Sequence, residues 1–220
     1  MARVKQFNVK DRIFARKFKA DTKDKKFKIR RLPTNRVNRY WPDNKLFLDQ
    51  EDTPECVGFC GAHWMINSPV TQYLDPHGLY ELAQYYDEFP GASYEGSTIR
   101  GMAKGFEKLG LISEYKWTWE LDTLIYVILE MGPVMVGTNW YDKMSYPEKN
   151  GLVRVEGSVV GGHAWLINGY SRKTGLFRAK NSWGTYWGLN GRFYIGDDDM
   201  QTLLEEDGEC CIGLEYKASL

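Results

Sequence analysis

The sequence lacks the long apolar stretches that would place the protein in a membrane or export it. No apolar run approaches the roughly 18 residues of a membrane-spanning helix, and the N-terminus has no short apolar core of the kind found in secretory signals. We therefore expect a cytoplasmic protein with no membrane partner. Its 220 residues can bury a substantial core, in one domain or in two closely packed lobes.

Cysteine is also scarce, and its spacing does not suit structural disulfides. The four cysteines are Cys56, Cys60, Cys210 and Cys211. Two of them are adjacent and two are one helical turn apart, so neither close pair fits the geometry of an ordinary bridge. The sequence does not exclude a disulfide between cysteines far apart in the chain, but no pattern in it indicates one. Sparse cysteines with this spacing favour a reducing compartment.

The formal net charge of zero conceals two regions of opposite charge. Residues 1–40 carry fifteen Lys or Arg against three Asp or Glu, and the remaining residues carry fourteen against twenty-six. Residues 1–31, the basic arm, contain no Gly or Pro and have four phenylalanines, Phe7, Phe14, Phe18 and Phe27. We expect the arm to dock on the acidic body through these rings, as a brace or a remnant of a pro-segment. A free solvated tail is one alternative, and a nucleic-acid contact is a second, disfavoured but open.

The rest of the chain, residues 32–220, divides into a helical half and a β half. Apolar residues at helical spacing predict helices over 54–68, 79–86, 97–109 and 121–131. Short apolar runs between Gly-rich turns then predict strands at 134–136, 151–155, 163–170, 175–181 and 192–195. We therefore predict an α+β fold with a helical lobe at about 45–131 and an antiparallel β lobe at about 132–216.

Only three histidines are available as a general base. His63 lies seven residues after Cys56 on the same predicted helix, a rise of roughly 10 Å, which is too far for a thiol–imidazole pair. His77 stands in a turn-like Asp-Pro-His-Gly and is most simply a solvated residue. His163 follows two glycines and opens an apolar strand, where it can face a cleft. A buried core histidine would give the same local pattern.

Cys56 is the better placed of the two helical cysteines to act as a nucleophile. It falls in the first turn of a helix that begins near Pro54, where unpaired backbone N–H groups and the helix dipole lower a thiol pKa. Cys60 lies a full turn further along, where this effect has faded. We expect Cys60 to be a small buried apolar residue.

Four short sequence elements stand in order along the chain. Gln50 stands six residues before Cys56, and the predicted helix opens with Cys56-Val57-Gly58-Phe59. Gly162-His163-Ala164 opens a predicted strand, and residues 181–191 read Asn-Ser-Trp-Gly-Thr-Tyr-Trp-Gly-Leu-Asn-Gly. In this order the four elements resemble the papain family of cysteine peptidases over residues 32–216, with the strand that carries the family's base at His163 and its Asn-Ser-Trp-Gly signature at 181–184.

The resemblance implies a two-lobed fold with the active site in the cleft between the lobes. It makes Cys56 the nucleophile and His163 the base, with Asn181 orienting the imidazole. It also makes the Gln50 amide a donor to the oxyanion.

The same resemblance implies a substrate-binding surface. Trp183 shields the hydrogen bond between His163 and Asn181 from water. Residues 94–97 are similar to the family's glycine-rich substrate loop, so the backbone of Gly96 is expected to pair with a substrate strand. Trp183 and Gly162 are the other residues expected to bind substrate.

The sequence departs from the family pattern just before the nucleophile and at the N-terminus. Thr53-Pro54-Glu55 replaces the usual Cys-Gly-Ser, and the Glu55 carboxylate would oppose a thiolate. The arm is too short for the usual inhibitory propeptide. These features resemble the prokaryotic and bacteriophage branch of the family. An association of the protein with a phage or virion is therefore a second expected location.

The predicted function is hydrolysis of protein or peptide substrates through a thiolate–imidazolium pair and a thioester, with no metal or organic cofactor. A zinc site built from Cys56, Cys60 and His63 is disfavoured, because ligands on one ion lie within about 4 Å of each other. A catalytically silent binding or virion-structural protein on the same fold is a second alternative. A third is a thiol amidase that acts on peptidoglycan or isopeptide bonds.

Overall fold

The computed structural model describes residues 12–89 and 94–214. Five helices are present in these ranges: α1 (Cys56–Ile66), α2 (Pro76–Tyr86), α3 (Ile99–Lys108), α4 (Leu121–Glu130) and α5 (Asp197–Glu205). Seven strands accompany them: β1 (Asn38–Tyr40), β2 (Glu114–Thr118), β3 (Val134–Tyr141), β4 (Val159–Ser171), β5 (Leu176–Lys180), β6 (Arg192–Gly196) and β7 (Glu209–Leu214). Two 3₁₀ turns, Thr22–Phe27 and Asp142–Ser145, complete the regular structure.

All seven strands belong to one antiparallel sheet, which confirms the predicted α+β class. The strand order is β2-β7-β3-β4-β5-β6, with β1 pairing on β4. Four helices precede the long strands β3 and β4, and the C-terminal part is rich in β structure. Among the described residues, no helix is long and apolar enough to cross a bilayer.

The central strands separate two hydrophobic cores. Met135, Ala164 and Leu166 belong to the core with α1 and α3, whereas Val134, Val136 and Trp165 belong to the core with α4 and α5. This division follows from the two-residue period of a strand, which sends successive side chains to opposite faces.

The same alternation explains the two C-terminal cysteines. Cys210 and Cys211 lie in different cores, because they are neighbours on β7. All four cysteines of the chain are free and buried.

Helix α1 is buried at every position, so it is a core helix rather than an amphipathic one. It begins at Cys56 directly after Glu55, whose side chain makes no capping hydrogen bond. Gly58 lets the start of α2 approach closely, since a Cβ at this position would lie 2.3 Å from the carbonyl oxygen of Pro76. The first turn of α1 therefore packs closely against the start of α2.

The structure differs from the sequence-based prediction at one predicted strand, and it contains three strands (β1, β2 and β7) and one helix (α5) that the sequence pattern did not predict. The strand predicted at 151–155 is reduced to one bridge between Leu152 and Tyr194, because Gly151 adopts a left-handed φ of 80° and the chain meets only the edge of β6. Strand β2 lies inside the range predicted for the helical lobe and pairs with β7. Helix α5, with three aspartates in its first turn, was not expected, although acidic residues favour a helix N-terminus.

Candidate active site

Cys56 is the first residue of α1 and is fully buried beneath the N-terminal arm. Backbone N–H groups from three parts of the chain reach its thiol: Val57 in the same helix, Ala164 on β4 and Ala15 in the arm. The position at the helix N-terminus agrees with the sequence-based expectation.

The His163 ring lies on β4 and is oriented by Asn181. Nε2 of His163 is 2.8 Å from Oδ1 of Asn181, and the same Oδ1 accepts from the backbone N–H of Ser182 at 2.8 Å. Since Oδ1 is an acceptor, Nε2 carries the proton in the neutral ring. Nδ1 of His163 is buried and has no hydrogen-bond partner within the described chain, so its lone pair is the free one.

Three aromatic rings exclude water from His163. Its ring centroid is 4.9 Å from that of Trp140, 5.2 Å from Trp183 and 5.8 Å from Phe14 of the arm. Burial lowers the pKa of His163 to about 4, although the hydrogen bond to Asn181 acts to raise this pKa. The charged form of the ring is therefore disfavoured in this arrangement.

The Cys56 thiol is also neutral in this arrangement, contrary to the expectation of a lowered pKa. Burial raises the pKa of Cys56 and outweighs the three backbone N–H groups that act to lower it. One of those groups, Ala15, belongs to the segment that covers the thiol. The helix N-terminus is present as expected, but a dry site opposes the thiolate more than the helix favours it.

Gln50 lies beside the site with its amide fixed by two neighbours. Its Oε1 accepts from the Ser182 hydroxyl at 2.6 Å, and its Nε2 donates to the carbonyl of Thr53 at 2.9 Å. The backbone N–H of Gln50 also donates to the carbonyl of Ser182 at 2.8 Å. Ser182 therefore links Gln50 to Asn181, a role that the sequence pattern did not single out.

Residues 12–18 of the arm, here called the cleft segment, run through the cleft as an extended peptide. The N–H of Arg16 donates to the carbonyl of Gly162 at 2.9 Å, and the N–H of Lys17 donates to the carbonyl of Ser97 at 2.8 Å. The segment is thus bound by backbone hydrogen bonds on both sides of the cleft, in the manner of an added strand.

The two glycines predicted to bind substrate both lie against the cleft segment. A Cβ at Gly96 would come within 1.8 Å of the Ala15 carbonyl oxygen, and one at Gly162 within 2.2 Å of the Arg16 carbonyl oxygen. The pairing on the first side, however, is made by Ser97 rather than by Gly96. The N–H of Gly96 is already bound to the Tyr80 hydroxyl at 2.9 Å, so this glycine supplies space for the peptide.

Side chains anchor the cleft segment at both ends. Arg12 forms an ion pair with Asp49 at 2.6 Å, and Phe14 packs edge-on against Trp183 with centroids 5.8 Å apart. Lys17 lies 4.1 Å over the ring of Tyr94. The segment closes the site with both charge and apolar contact.

The arm continues along the body after the cleft segment. Asp24 forms a buried ion pair with Arg100, and Phe27 stacks on Tyr115 with centroids 5.6 Å apart. Ile29 is buried in the core that contains α4.

Phe18 is half-buried against the guanidinium of Arg16. Phe7, the fourth aromatic of the arm, lies outside the described residues.

The other two histidines have local partners. His63 is buried, and its Nε2 accepts from the N–H of Leu48 at 3.2 Å. His77 is mostly exposed in the first turn of α2, and its Nδ1 lies 2.5 Å from Glu55 Oε2. The Glu55 carboxylate is thus directed to an imidazole. Among the described residues, no group of three or more His, Cys, Asp or Glu side chains is arranged to hold a metal ion.

This fold and this site define a papain-like cysteine peptidase domain. The family model described as papain family cysteine protease matches residues 52–214, which is most of the chain. The chain therefore belongs to the papain family of cysteine proteases. This result confirms the family and the cysteine-peptidase class predicted from the sequence.

Two curated proteins share sequence similarity with the chain. An uncharacterised peptidase C1-like protein of Acanthamoeba polyphaga mimivirus is 24% identical over 134 residues, covering 56% of this chain and 43% of the relative. The gamete and mating-type specific protein A of Dictyostelium discoideum is 29% identical over 152 residues, covering 68% of this chain and 32% of the relative. The chain thus spans less than half the length of these relatives.

Solved structures share the fold at low sequence identity. Xylellain, a cysteine protease from Xylella fastidiosa, superposes with a TM-score of 0.74 at 17% identity, covering 93% of this chain and 96% of xylellain. A procathepsin B from Trypanosoma congolense gives a TM-score of 0.64 at 14% identity, covering 94% of this chain and 88% of its own. These neighbours confirm the papain-like fold.

Proposed function

We propose that the protein is a cysteine peptidase that its own basic arm holds in a closed, inactive state. The observation that carries this proposal is the environment of His163. Its Nε2 is held by Asn181, its Nδ1 has no hydrogen-bond partner within the described residues, and the helix that begins with Cys56 packs against its strand. A ring held by one nitrogen, with the other lone pair free, is arranged as a general base.

The proposed chemistry follows once the cleft segment leaves. Nδ1 of His163 takes the proton of Cys56, and the sulfur attacks the carbonyl carbon of a peptide bond. The Gln50 amide and the Cys56 backbone N–H donate to the oxyanion, and loss of one such donor costs on the order of 3 kcal/mol. His163 then gives its proton to the leaving amine, and water hydrolyses the thioester. No step requires a metal or an organic cofactor.

Opening also changes the charges of the pair. Burial is the first cause of both the raised pKa of Cys56 and the lowered pKa of His163. Removing Phe14 and Ala15 from the site would let water return, which favours the thiolate and the imidazolium together. The closed arm therefore blocks the cleft and neutralises the pair at the same time.

The test is a full-length opened variant, Phe14→Ala/Arg16→Ala. We expect it to hydrolyse a fluorogenic peptide library at neutral pH, with the intact chain at least about 10-fold slower. We also expect iodoacetamide to label Cys56 in the opened variant roughly 100-fold faster than Cys60. Burial raises the pKa of Cys60, and its Sγ already donates to the carbonyl of Trp165. Peptide mapping by mass spectrometry locates the label.

The matched control is Phe27→Ala/Arg31→Ala, which removes one ring and one arginine from the part of the arm far from the thiol. This variant should stay closed. Hydrolysis that survives Cys56→Ala would refute the nucleophile assignment. Labelling of Cys56 without hydrolysis of any peptide would favour the silent binding protein, and cleavage of isopeptide or peptidoglycan bonds alone would favour the amidase.

Two further expectations stay proposals beside this function. The first is a place in the prokaryotic and bacteriophage branch of the family, which the Tyr-Glu-Gly-Ser stretch at residues 94–97 supports. The second is a cytoplasmic or virion-associated location, with protein or peptide substrates; a nucleic-acid contact of the arm stays a disfavoured alternative.

A further inference from the structure

Glu55 and Cys56 are neighbours at the start of α1, but their side chains meet different parts of the fold. The Cys56 thiol is reached by the backbone N–H of Ala164 on β4. The Glu55 carboxylate reaches α2 instead, where its Oε2 lies 2.5 Å from Nδ1 of His77. The acidic side chain directly before the proposed nucleophile is thus held by an imidazole of the neighbouring helix.

The close packing of the two helix starts brings this imidazole to Glu55. A Cβ at Gly58 would lie 2.3 Å from the carbonyl oxygen of Pro76 and 2.7 Å from the Cβ of Tyr80, so the first turns of α1 and α2 are in contact. The His77 ring also packs edge-on against Phe59, with centroids 5.5 Å apart. His77 is therefore fixed against α1, although 59% of its side chain is exposed.

The contact between Glu55 and His77 does not serve to cap either helix. The Glu55 side chain makes no capping hydrogen bond to α1. Asp75 already caps α2, since its carboxylate accepts from the N–H of Gly78 at 2.8 Å. Among the described residues, His77 is the basic side chain within ion-pair distance of Glu55. The titratable neighbours that α2 and the loop at 94–97 supply are acidic or phenolic rather than cationic: Asp75, Tyr80, Glu81 and Glu95.

The charge of Glu55 becomes important when the sulfur of Cys56 is ionised. Two like charges several Å apart change an ionisation equilibrium by roughly 10-fold near a protein surface. In the closed state the charge of Arg16 acts to lower the pKa of Cys56, but Arg16 leaves with the arm. The contact of His77 with Glu55 lies outside the arm and is kept after opening. A histidine changes its charge between about pH 5 and pH 8, so its protonated ring can balance a carboxylate in that range.

We infer that His77 is a positioning residue for the nucleophile, which holds and neutralises the Glu55 carboxylate so that Cys56 can ionise beside it. The inference rests on the proposed function, in which the sulfur of Cys56 attacks as a thiolate. His77 acts through Glu55 rather than on the sulfur. The pair also explains how the chain accommodates an acidic residue at position 55, where the family pattern has serine.

The test measures the ionisation of Cys56 without peptide hydrolysis, so the inference and the proposed catalysis can fail separately. The parent protein is the full-length opened variant Phe14→Ala/Arg16→Ala. It is compared with the same protein carrying His77→Ala, Glu55→Gln or both substitutions. The rate at which iodoacetamide, an uncharged reagent, alkylates Cys56 is measured by peptide mapping from pH 5 to pH 10. Thermal unfolding of each sample shows that the protein is folded at every pH used.

We expect His77→Ala to slow the alkylation of Cys56 at pH 6 by roughly 3- to 10-fold, because the unbalanced carboxylate opposes the thiolate. The midpoint of the rate profile should move to higher pH, while the rate at the alkaline plateau, where the thiol is fully ionised, should stay the same. A merely structural role of His77 would not leave that plateau in place and move the midpoint.

Glu55→Gln should restore the parent profile in the protein with His77→Ala, because the opposing charge is then gone. The matched control is Glu81→Gln, which removes an exposed carboxylate one turn further along α2 and should not restore it. A slower alkylation that persists with Glu55→Gln would overturn the inference, as would a profile that His77→Ala leaves unchanged. Absence of peptide hydrolysis with the expected order of alkylation rates would count against the proposed catalysis alone.

Discussion

Helix α1 carries two cysteines and the buried His63, and it packs against the strand that carries the buried His163; the two histidines can be compared by what their ring nitrogens contact. His63 and His163 are both buried, and burial lowers the pKa of each. The free lone pair of His63 is taken by the N–H of Leu48, whereas Nδ1 of His163 has no such donor within the described residues. Burial alone therefore does not mark a functional histidine. In the proposed function, what distinguishes His163 is that Nδ1 has no donor in the described part of the chain while Asn181 holds Nε2.

The largest expected effect comes from substituting the two histidines one at a time. In the opened variant Phe14→Ala/Arg16→Ala, His163→Ala should lower kcat by on the order of 10³-fold, because the proton of Cys56 loses its acceptor. His63→Gln should lower the thermal midpoint but keep kcat of the folded protein within a few-fold. Peptide hydrolysis and thermal unfolding on the same samples separate the two results. Equal losses of kcat would mean that His163 is only structural.

A smaller effect is expected at the residue that holds the ring. Asn181→Ala in the opened variant should lower kcat/KM by roughly 10- to 100-fold, since it removes orientation rather than a reacting group. The Asn181 hydrogen bond raises the pKa of His163, so its loss should also move the alkaline limb of the pH profile to lower pH. A substitution that merely loosened the fold would leave that limb in place. An unchanged kcat/KM would show that Asn181 does not orient His163 for catalysis.

The position of Cys56 at a helix start could be predicted from the sequence because that pattern is local, with Pro54 favouring the first turn. His163, Asn181 and Gln50 were assigned through the resemblance of short motifs to the papain family, since two glycines before a histidine fit a core residue equally well.

The α+β class followed from the change of periodicity near residue 132. The loop residue that pairs with the arm, Ser97 rather than Gly96, depended on the Tyr80 hydroxyl, which no pattern links to that loop.

The closed state could not be predicted, because it depends on long-range contacts of the arm. The pairing of Arg16 with Glu209 joins residues from opposite ends of the chain and uses a cross-strand register that the sequence does not contain. The direction of the Cys56 pKa shift also depends on the folded surroundings. A helix N-terminus predicts a lowered pKa, and burial of the thiol reverses it.

The last expected effect is on the pH dependence of the free energy of unfolding, and it distinguishes the two histidines by their titration in acid. His163 titrates near 6.5 in the unfolded chain and near 4 in the closed fold. Between these values the unfolded state binds a proton that the native state does not, so the free energy of unfolding should fall as the pH falls from about 6.5 to about 4. For one such group the full loss is about 3 kcal/mol. His63 contributes in the same direction.

Phe14→Ala should separate the two contributions, since Phe14 covers His163 and not His63. This variant keeps the pairing of Arg16 with Glu209, so the raised pKa of Glu209, which acts in the opposite sense, is the same in both proteins. We expect a shallower loss of unfolding free energy on acidification than in the intact chain, with Phe27→Ala matching the intact chain. Urea unfolding at pH 6.5, 5.5 and 4.5 gives the three slopes. Equal slopes for all three proteins would mean that the cleft segment does not keep water from His163, and the closed state would then be a block of the cleft alone.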